Sequence, residues 1–233
     1  MTPSSYSLSV IVPVYNEAQL LPPMMAVLRP FLDSRFHDWE VILVESGSRD
    51  GSRATCQALA AADSRVRAVH EAQRNGFGSA LKLGFQQATK DLVLMTTADQ
   101  PFPLESIDAA LPYLSNCDCV LSYRSVDPRK SSFRKVQSAV YNLLARLLLG
   151  LKVRHVNSAF KLYKRSVIQP LKLVSNGWFI DGEIVYWITR KKIRYAEIPV
   201  ELTDRQQGTS TVKLTTAFAV LKELWAFSRS IRR

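Results

Sequence analysis

Carboxylates, hydroxyls and a phenol ring recur in three short polar segments: Pro13-Val14-Tyr15-Asn16-Glu17, Glu45-Ser46-Gly47-Ser48-Arg49-Asp50-Gly51 and Thr96-Thr97-Ala98-Asp99-Gln100-Pro101. These residue types can hold a polar ligand: carboxylates accept hydrogen bonds and a ring offers a stacking face. They are also ordinary turn chemistry, with Asn16, Ser48 and Asp50 suited to opening helices and Gly47 and Gly51 to turns. What favours a site is their order, since each segment directly follows a short apolar run.

Those runs are Leu8–Val12, Trp39–Val44 and Leu92–Met95, and two more lie at Val66–Val69 and Cys119–Tyr123. Stretches with helical spacing separate them, the rhythm of parallel βαβ units. SVIV and VILV are almost continuously apolar, as expected for strands covered by helices on both faces. Ligands of open α/β sheets bind beyond the carboxyl ends of the strands, which is where the three polar segments fall. Further along, the spacing predicts a helix over 133–150, a short segment at Ala159–Tyr163, helices over 166–173 and 180–190, an extended Ile193–Val200 and a final helix over 215–233. No Gly/Ser/Pro-rich linker and no repeat interrupts the chain, so one domain is expected, its second half completing the sheet and walling the site.

Composition narrows the class. With 47% hydrophobic and 22% charged residues among 233, the chain has a full core and is neither a disordered tail nor a coiled coil. Its Cys56, Cys117 and Cys119 cannot form a disulfide framework, and reduced thiols in a cytosolic setting are expected. The absence of a long apolar run and of a signal-like start argues against a spanning anchor or secretion. The charge is lopsided: residues 1–123 carry 9 Lys/Arg against 13 Asp/Glu, whereas 124–233 carry 22 against 7. A basic half implies an anionic partner: nucleic acid, a phospholipid surface or a phosphorylated substrate.

In sequence order, VPVYNE (12–17), ESGSRDGS (45–52), RNGFGSALKLG (74–84), TAD (97–99), SYR (122–124), NSAFK (157–161), GWFIDGE (177–183), EIPV (197–200) and RQQGTSTV (205–212) resemble the nucleotide-sugar glycosyltransferases of family 2. The resemblance is closest to those similar to dolichyl-phosphate mannose synthase and other polyprenyl-phosphate glycosyltransferases. It implies a GT-A (Rossmann-like) α/β fold, a mostly parallel sheet flanked by helices in a single domain over 1–233. Residues 1–123 would be the nucleotide-sugar half and 124–233 the basic, acceptor- and membrane-facing half. It also implies a nucleoside-diphosphate sugar donor, inversion at the anomeric carbon and usually Mg²⁺ or Mn²⁺.

Residue by residue, the resemblance implies that Pro13, Tyr15, Glu17, Glu45 and Ser46 hold the nucleoside, with Ser46 standing where relatives usually have a second Asp. Thr97, Ala98 and Asp99 occupy the place of an Asp-x-Asp metal motif, so Asp99 is the remaining metal-ligating carboxylate and Mg²⁺ or Mn²⁺ binding is expected to be weak or absent. Pro101 and His155 are further departures. Arg205 and Ser210 correspond to a loop that closes over the donor, and Arg205 with Lys213 can offset the charge of the leaving diphosphate. Asp99, Asp181 and Arg205 are the candidate catalytic residues, while Arg124, Arg134 and Ser138 match positions that hold an acceptor phosphate.

Two functions follow. One is an inverting hexosyltransferase acting on a polyprenyl phosphate or another cell-envelope acceptor, peripheral at the inner face of the membrane. The other is a catalytically silent relative that binds nucleotide or lipid and scaffolds glycan assembly. No nucleic-acid motif accompanies the basic half, so nucleic acid ranks last. The 136–149 region reads as an apolar face with basic edges suited to a membrane surface. The last helix reads equally as interfacial, as partner-docking or as core. Asp181 and Glu183 read as acceptor-orienting or as buried partners of the basic wall. Trp178 and Trp187 read as packing residues rather than sugar platforms, Trp178 being the better candidate for a sugar contact, and His37 and His70 read as surface residues.

Overall fold

The computed structural model describes residues 4–125, 132–201 and 214–231, except for the side chains of 132–138 and 214–218. The chain runs β1 (Leu8–Val14), α1 (Leu21–Arg35), β2 (Trp39–Ser46), α2 (Ser52–Ala62), β3 (Val66–Glu71), α3 (Phe77–Gln87), β4 (Leu92–Met95) and α4 (Glu105–Ala110). It continues through a 3₁₀ turn at Leu111–Ser115 to β5 (Cys119–Arg124), α5 (Ser132–Leu149), β6 (Lys161–Lys164), α6 (Arg165–Ile168), α7 (Ile180–Arg190), β7 (Tyr195–Val200) and α8 (Leu214–Ser230).

The strands form one sheet in the order β3-β2-β1-β4-β6-β5-β7. β1 pairs in parallel with β2 and β4, β2 with β3, and β5 with β7. β6 runs antiparallel between β4 and β5. The expected short segment at 159–163 is therefore the strand that joins the two halves of the sheet.

Alternation along each strand sorts the core into two layers. Val10 and Val12 of β1, Val41 and Leu43 of β2, and Leu92 and Leu94 of β4 pack with Leu21, Leu28 and Leu32 of α1 on one face. Ile11, Ile42, Val44, Val93 and Met95 point to the other face, against Leu81 and Phe85 of α3, Ile184 of α7 and Leu224 of α8. Both faces are covered, which explains the unbroken apolar runs. α3 lies close enough on the sheet that a Cβ at Gly84 would sit 2.2 Å from Ile11 Cγ2.

The helix expected over 166–173 ends at Ile168, because Pro170 lacks the amide hydrogen that a continuing turn needs and its ring clashes with the preceding turn. The final helix has a core face: Val220, Leu224 and Phe227 are buried, and α8 packs against α5. Trp225, on its outer side, is 56% exposed.

Candidate functional site

The loops after β1 and β2 are laced together by their own polar groups. Asn16, at φ 56°, donates its backbone N–H to Ser48 Oγ (3.1 Å), and its Oδ1 accepts the Arg49 N–H (2.9 Å). The Glu17 N–H donates to Ser52 Oγ (2.8 Å) and the Ala18 N–H to Asp50 Oδ2 (3.1 Å). Burial works against ionisation of Asp50, but hydrogen bonds from the Ser52 hydroxyl and the backbone outweigh it and hold the carboxyl below its ordinary range. Asn16, Ser48 and Asp50 thus build the rim, and Gly47 and Gly51 make its turns at positive φ.

Inside this rim a cleft of about 350 Å³ opens beyond the ends of β1, β2 and β4. Pro13, Tyr15, Glu17, Ser46 and Thr97 of the expected donor set line it, together with Arg74 and Trp178. The Arg74 guanidinium lies 3.9 Å from the centroid of the Tyr15 ring, placing a cation against a stacking surface. Arg74, in the RNG segment, carries no role in the sequence pattern alone; a basic residue shortly after the end of β3 is the signal that points to it. Trp178 stacks on Phe77, with centroids 4.3 Å apart and planes 14° apart. Its ring both packs and faces the cleft.

The remaining expected donor residues lie behind these. Glu45 is 1% exposed and does not line the cleft. Its Oε1 accepts the Ser48 N–H (2.5 Å), and its Oε2 lies 3.2 Å from His70 Nδ1. His70 is therefore half-buried and partnered, not a surface residue, because β3 pairs directly with β2 and sets it opposite Glu45. His37 is exposed, as expected. The Thr97 hydroxyl donates to Asp99 Oδ1, and Ala98 is buried.

Among the described residues no three His, Cys, Asp or Glu side chains gather to hold a metal. Asp99 with the Thr97 hydroxyl is an oxygen pair that fits a hard cation if donor phosphates and water complete its shell. The thiols of Cys56 and Cys119 are pushed up to about 12, chiefly by burial, which leaves them inert at neutral pH.

Arg124 does not line the cleft; it ends β5 and donates its backbone N–H to His155 Nδ1 (3.3 Å). The side chains of Arg134 and Ser138, and all of Arg205, Ser210 and Lys213, lie outside the described residues. Asp181 is an ion-pair partner: its Oδ1 meets Lys161 Nζ at 2.9 Å, with side chains 13% and 1% exposed. Lys161 Nζ also donates to the Ser158 carbonyl (2.6 Å).

Glu183, fully buried, accepts the backbone N–H groups of Val174 (2.9 Å) and Ser175 (2.8 Å). That fixes the 174–178 segment, whose Asn176 carbonyl accepts from the N–H groups of Gly78 (2.8 Å) and Ser79 (3.2 Å). Glu183 thereby positions Trp178 without reaching the cleft itself. Of the two readings for these carboxylates, the buried one describes their contacts, although Glu183 braces backbone rather than a basic side chain.

On the outer face of α5, Val140, Leu143 and Leu147 are 45%, 56% and 70% exposed. Tyr141, Ala145 and Leu149 of the same helix are buried. Arg146 is exposed beside the stripe.

Known proteins share this fold. The chain matches Glycosyl transferase family 2 over residues 9–171. It is 30% identical over 206 residues to an undecaprenyl-phosphate 4-deoxy-4-formamido-L-arabinose transferase of Pectobacterium atrosepticum, covering 88% of this chain and 62% of that protein. It is 29% identical over 209 residues to glycosyltransferase AglD of Haloferax volcanii, covering 86% of this chain and 34% of that one. The chain thus spans under two thirds of the length of either relative. A mannosyltransferase from Pyrobaculum calidifontis, solved with GDP-Man and Mn²⁺, superposes with a TM-score of 0.69 over 100% of this chain and 67% of its own, at 20% identity. The sheet order, the cleft at its strand ends and the match over most of the sequence together place the chain in glycosyltransferase family 2, with the GT-A fold.

Proposed function

We propose that the chain moves a hexose from a nucleoside-diphosphate sugar to a polyprenyl phosphate, with inversion at the anomeric carbon. The observation that carries this reading is the cleft itself, in which Tyr15, Glu17, Ser46 and Thr97 converge from three separate strand ends. The Tyr15 ring and the Arg74 guanidinium offer flat faces to a base, and Glu17 offers a carboxylate to ribose hydroxyls. Arg124, Arg134 and Ser138 hold the acceptor phosphate, and Arg205 and Ser210 close over the donor.

One acceptor phosphate oxygen attacks the anomeric carbon, the bond from that carbon to the diphosphate oxygen breaks, and the nucleoside diphosphate leaves with the electron pair. The acceptor is already ionised, so the step needs orientation and charge rather than proton removal. This suits an Asp181 engaged with Lys161. A divalent cation, Mg²⁺ or Mn²⁺, would be held by Asp99 and Thr97 and would supply charge neutralisation to the diphosphate.

The exposed Val140, Leu143 and Leu147 stripe, flanked by Arg146, supports peripheral docking on an anionic membrane surface, at the cytoplasmic face where soluble nucleotide sugars meet lipid phosphates. No helix among the described residues is long and apolar enough to cross a membrane. The test incubates the purified chain with UDP- or GDP-hexoses and undecaprenyl phosphate in detergent, with and without Mn²⁺, and detects the lipid product by mass spectrometry. A glycosylated prenyl phosphate establishes the reading. Nucleotide binding without product from any donor refutes transfer and favours the silent scaffold.

A further inference from the structure

The stretch of cleft wall that carries Trp178 is clamped from α8, none of whose described residues lines the cleft. Phe179 is the N-cap of α7, and its side chain caps nothing. Its N–H donates instead to Glu223 Oε2 of α8 at 3.1 Å, so a carboxylate from a neighbouring helix satisfies a donor at the α7 start and sits at the favourable end of that helix dipole. On the other side of Trp178 the same carboxylate covers Gly177, where a Cβ would sit 2.1 Å from Glu223 Oε1. Glu223 thus grips the backbone at both neighbours of Trp178.

α8 is itself well seated. Phe227, one turn beyond Glu223, packs its ring against Phe179 (centroids 5.3 Å apart) and Tyr186 (5.2 Å). The acidic residues of the first turn of α7 are engaged elsewhere: Asp181 meets Lys161, and Glu183 holds the Val174 and Ser175 amides. Phe77, on which Trp178 stacks, opens α3 and is fixed from behind. There the Ser79 hydroxyl donates to Glu71 Oε1 and the Ser46 hydroxyl to Glu71 Oε2, each at 2.6 Å, and Lys82 Nζ donates to Asn176 Oδ1 at 2.6 Å.

On the reading of the cleft as a donor site, we infer that Glu223 is a positioning residue that holds the Trp178 ring in the donor-facing wall. It acts through the peptide groups on either side of Trp178 and touches no ligand. Without its carboxylate the 177–179 backbone is free to shift, and a shift of about 1 Å in a wall residue is enough to lower binding.

The test is calorimetric titration of the full chain and of Trp178→Ala, Glu223→Ala, Glu223→Gln and the double variant Trp178→Ala with Glu223→Ala, using UDP, GDP and their hexose conjugates at one fixed Mn²⁺ concentration. The tightest of these ligands serves for the comparison. Thermal melts fix a temperature at which every variant is folded; should Glu223→Ala not fold, Glu223→Asp, whose shorter side chain withdraws the acceptor, replaces it in both the single and the double variant. Trp178→Ala weakens binding by about tenfold, the upper range for one aromatic contact. Glu223→Ala weakens it at least about threefold, whereas Glu223→Gln, whose amide oxygen still accepts the Phe179 N–H, stays within about twofold of wild type. In the Trp178→Ala background, Glu223→Ala costs less than about twofold, because no ring remains to be placed. A merely structural carboxylate would cost the same factor with or without the ring, which overturns the inference. So does wild-type affinity in Glu223→Ala or in Trp178→Ala, and so does a loss in Glu223→Gln as deep as in Glu223→Ala, which would make the charge and not the hydrogen bond responsible. Failure of the wild type to bind any of the ligands refutes the donor-site reading itself, a distinguishable result.

Discussion

Removing the Asp181 carboxylate should destabilise the fold far more than a surface change would. Lys161 Nζ lies 2.9 Å from Asp181 Oδ1 with a side chain 1% exposed, and among the described residues it otherwise donates to the Ser158 carbonyl at 2.6 Å. In Asp181→Ala the ammonium stays in the interior without a counter-charge, and breaking one side of such a pair costs about 3–5 kcal/mol. In a domain of this size each kcal/mol moves the melting temperature by about 2–4 °C, so a fall of roughly 6–20 °C is expected. Replacing both partners, as Lys161→Met with Asp181→Leu, should recover most of that loss, because no charge then remains buried. The assay is thermal and urea unfolding at pH 7, paired with transfer activity at a temperature where every variant is folded. An Asp181→Ala protein melting within about 2 °C of wild type but devoid of transfer would refute the reasoning and favour a direct catalytic role for Asp181, such as that of a general base.

Acid stability should depend on Glu40. Burial opposes its ionisation, but hydrogen bonds from Ser9, Thr89 and Arg67 outweigh that and hold its pKa below the ordinary 4.5. A depressed carboxyl contributes stability above its unfolded pKa and loses it as pH falls through the folded one, so Glu40→Gln melts below wild type at pH 7 and the gap narrows under pH 4.5. Melting curves across pH 3–7 check this; a constant gap contradicts it. Gly76→Ala should cost about 1–3 kcal/mol and weaken nucleotide binding, since φ is 111° there and a Cβ would meet the Asn176 carbonyl oxygen at 2.3 Å. Urea unfolding and a nucleotide titration measure both effects. Leu143→Glu with Leu147→Glu should abolish sedimentation with anionic vesicles and leave the melting temperature within about 2 °C, because both side chains already face solvent. Retained vesicle binding would remove α5 as the docking face.

Periodicity located the parallel half of the sheet almost to the residue, because β1, β2 and β4 are buried on both faces and every position is under the same apolar demand. Direction was harder to read. β6 is four residues long, and only its neighbours across the sheet make it antiparallel. In the cleft, Tyr15, Glu17, Ser46 and Thr97 were legible because each directly follows an apolar run. Glu71 and His70 were not, since their importance comes from side chains 25 residues away in sequence that the β2–β3 ladder sets beside them. Lys161 was similarly opaque: a lysine inside a short apolar segment shows its value only when Asp181, 20 residues on, arrives beneath it.

The placement of the carboxylates bears on the chemistry. Glu45 holds the Ser48 amide, Asp50 the Ala18 and Ser52 amides, Glu183 the Val174 and Ser175 amides, and Asp181 the Lys161 ammonium. Each is spent on fixing a loop or wall of the cleft. Among the described residues lining the cleft, Glu17 is the one carboxylate and Arg74 the one cation. A hydroxyl acceptor would require a base free to take its proton as the bond forms, whereas these carboxylates are already engaged by backbone amides or an ammonium. A phosphate acceptor brings its own negative charge and asks only to be held in line with the anomeric carbon. Carboxylates of both halves are thus engaged in loop geometry, and the proposed transfer divides the labour accordingly: the protein would supply placement and positive potential, and an acceptor phosphate would supply the nucleophile.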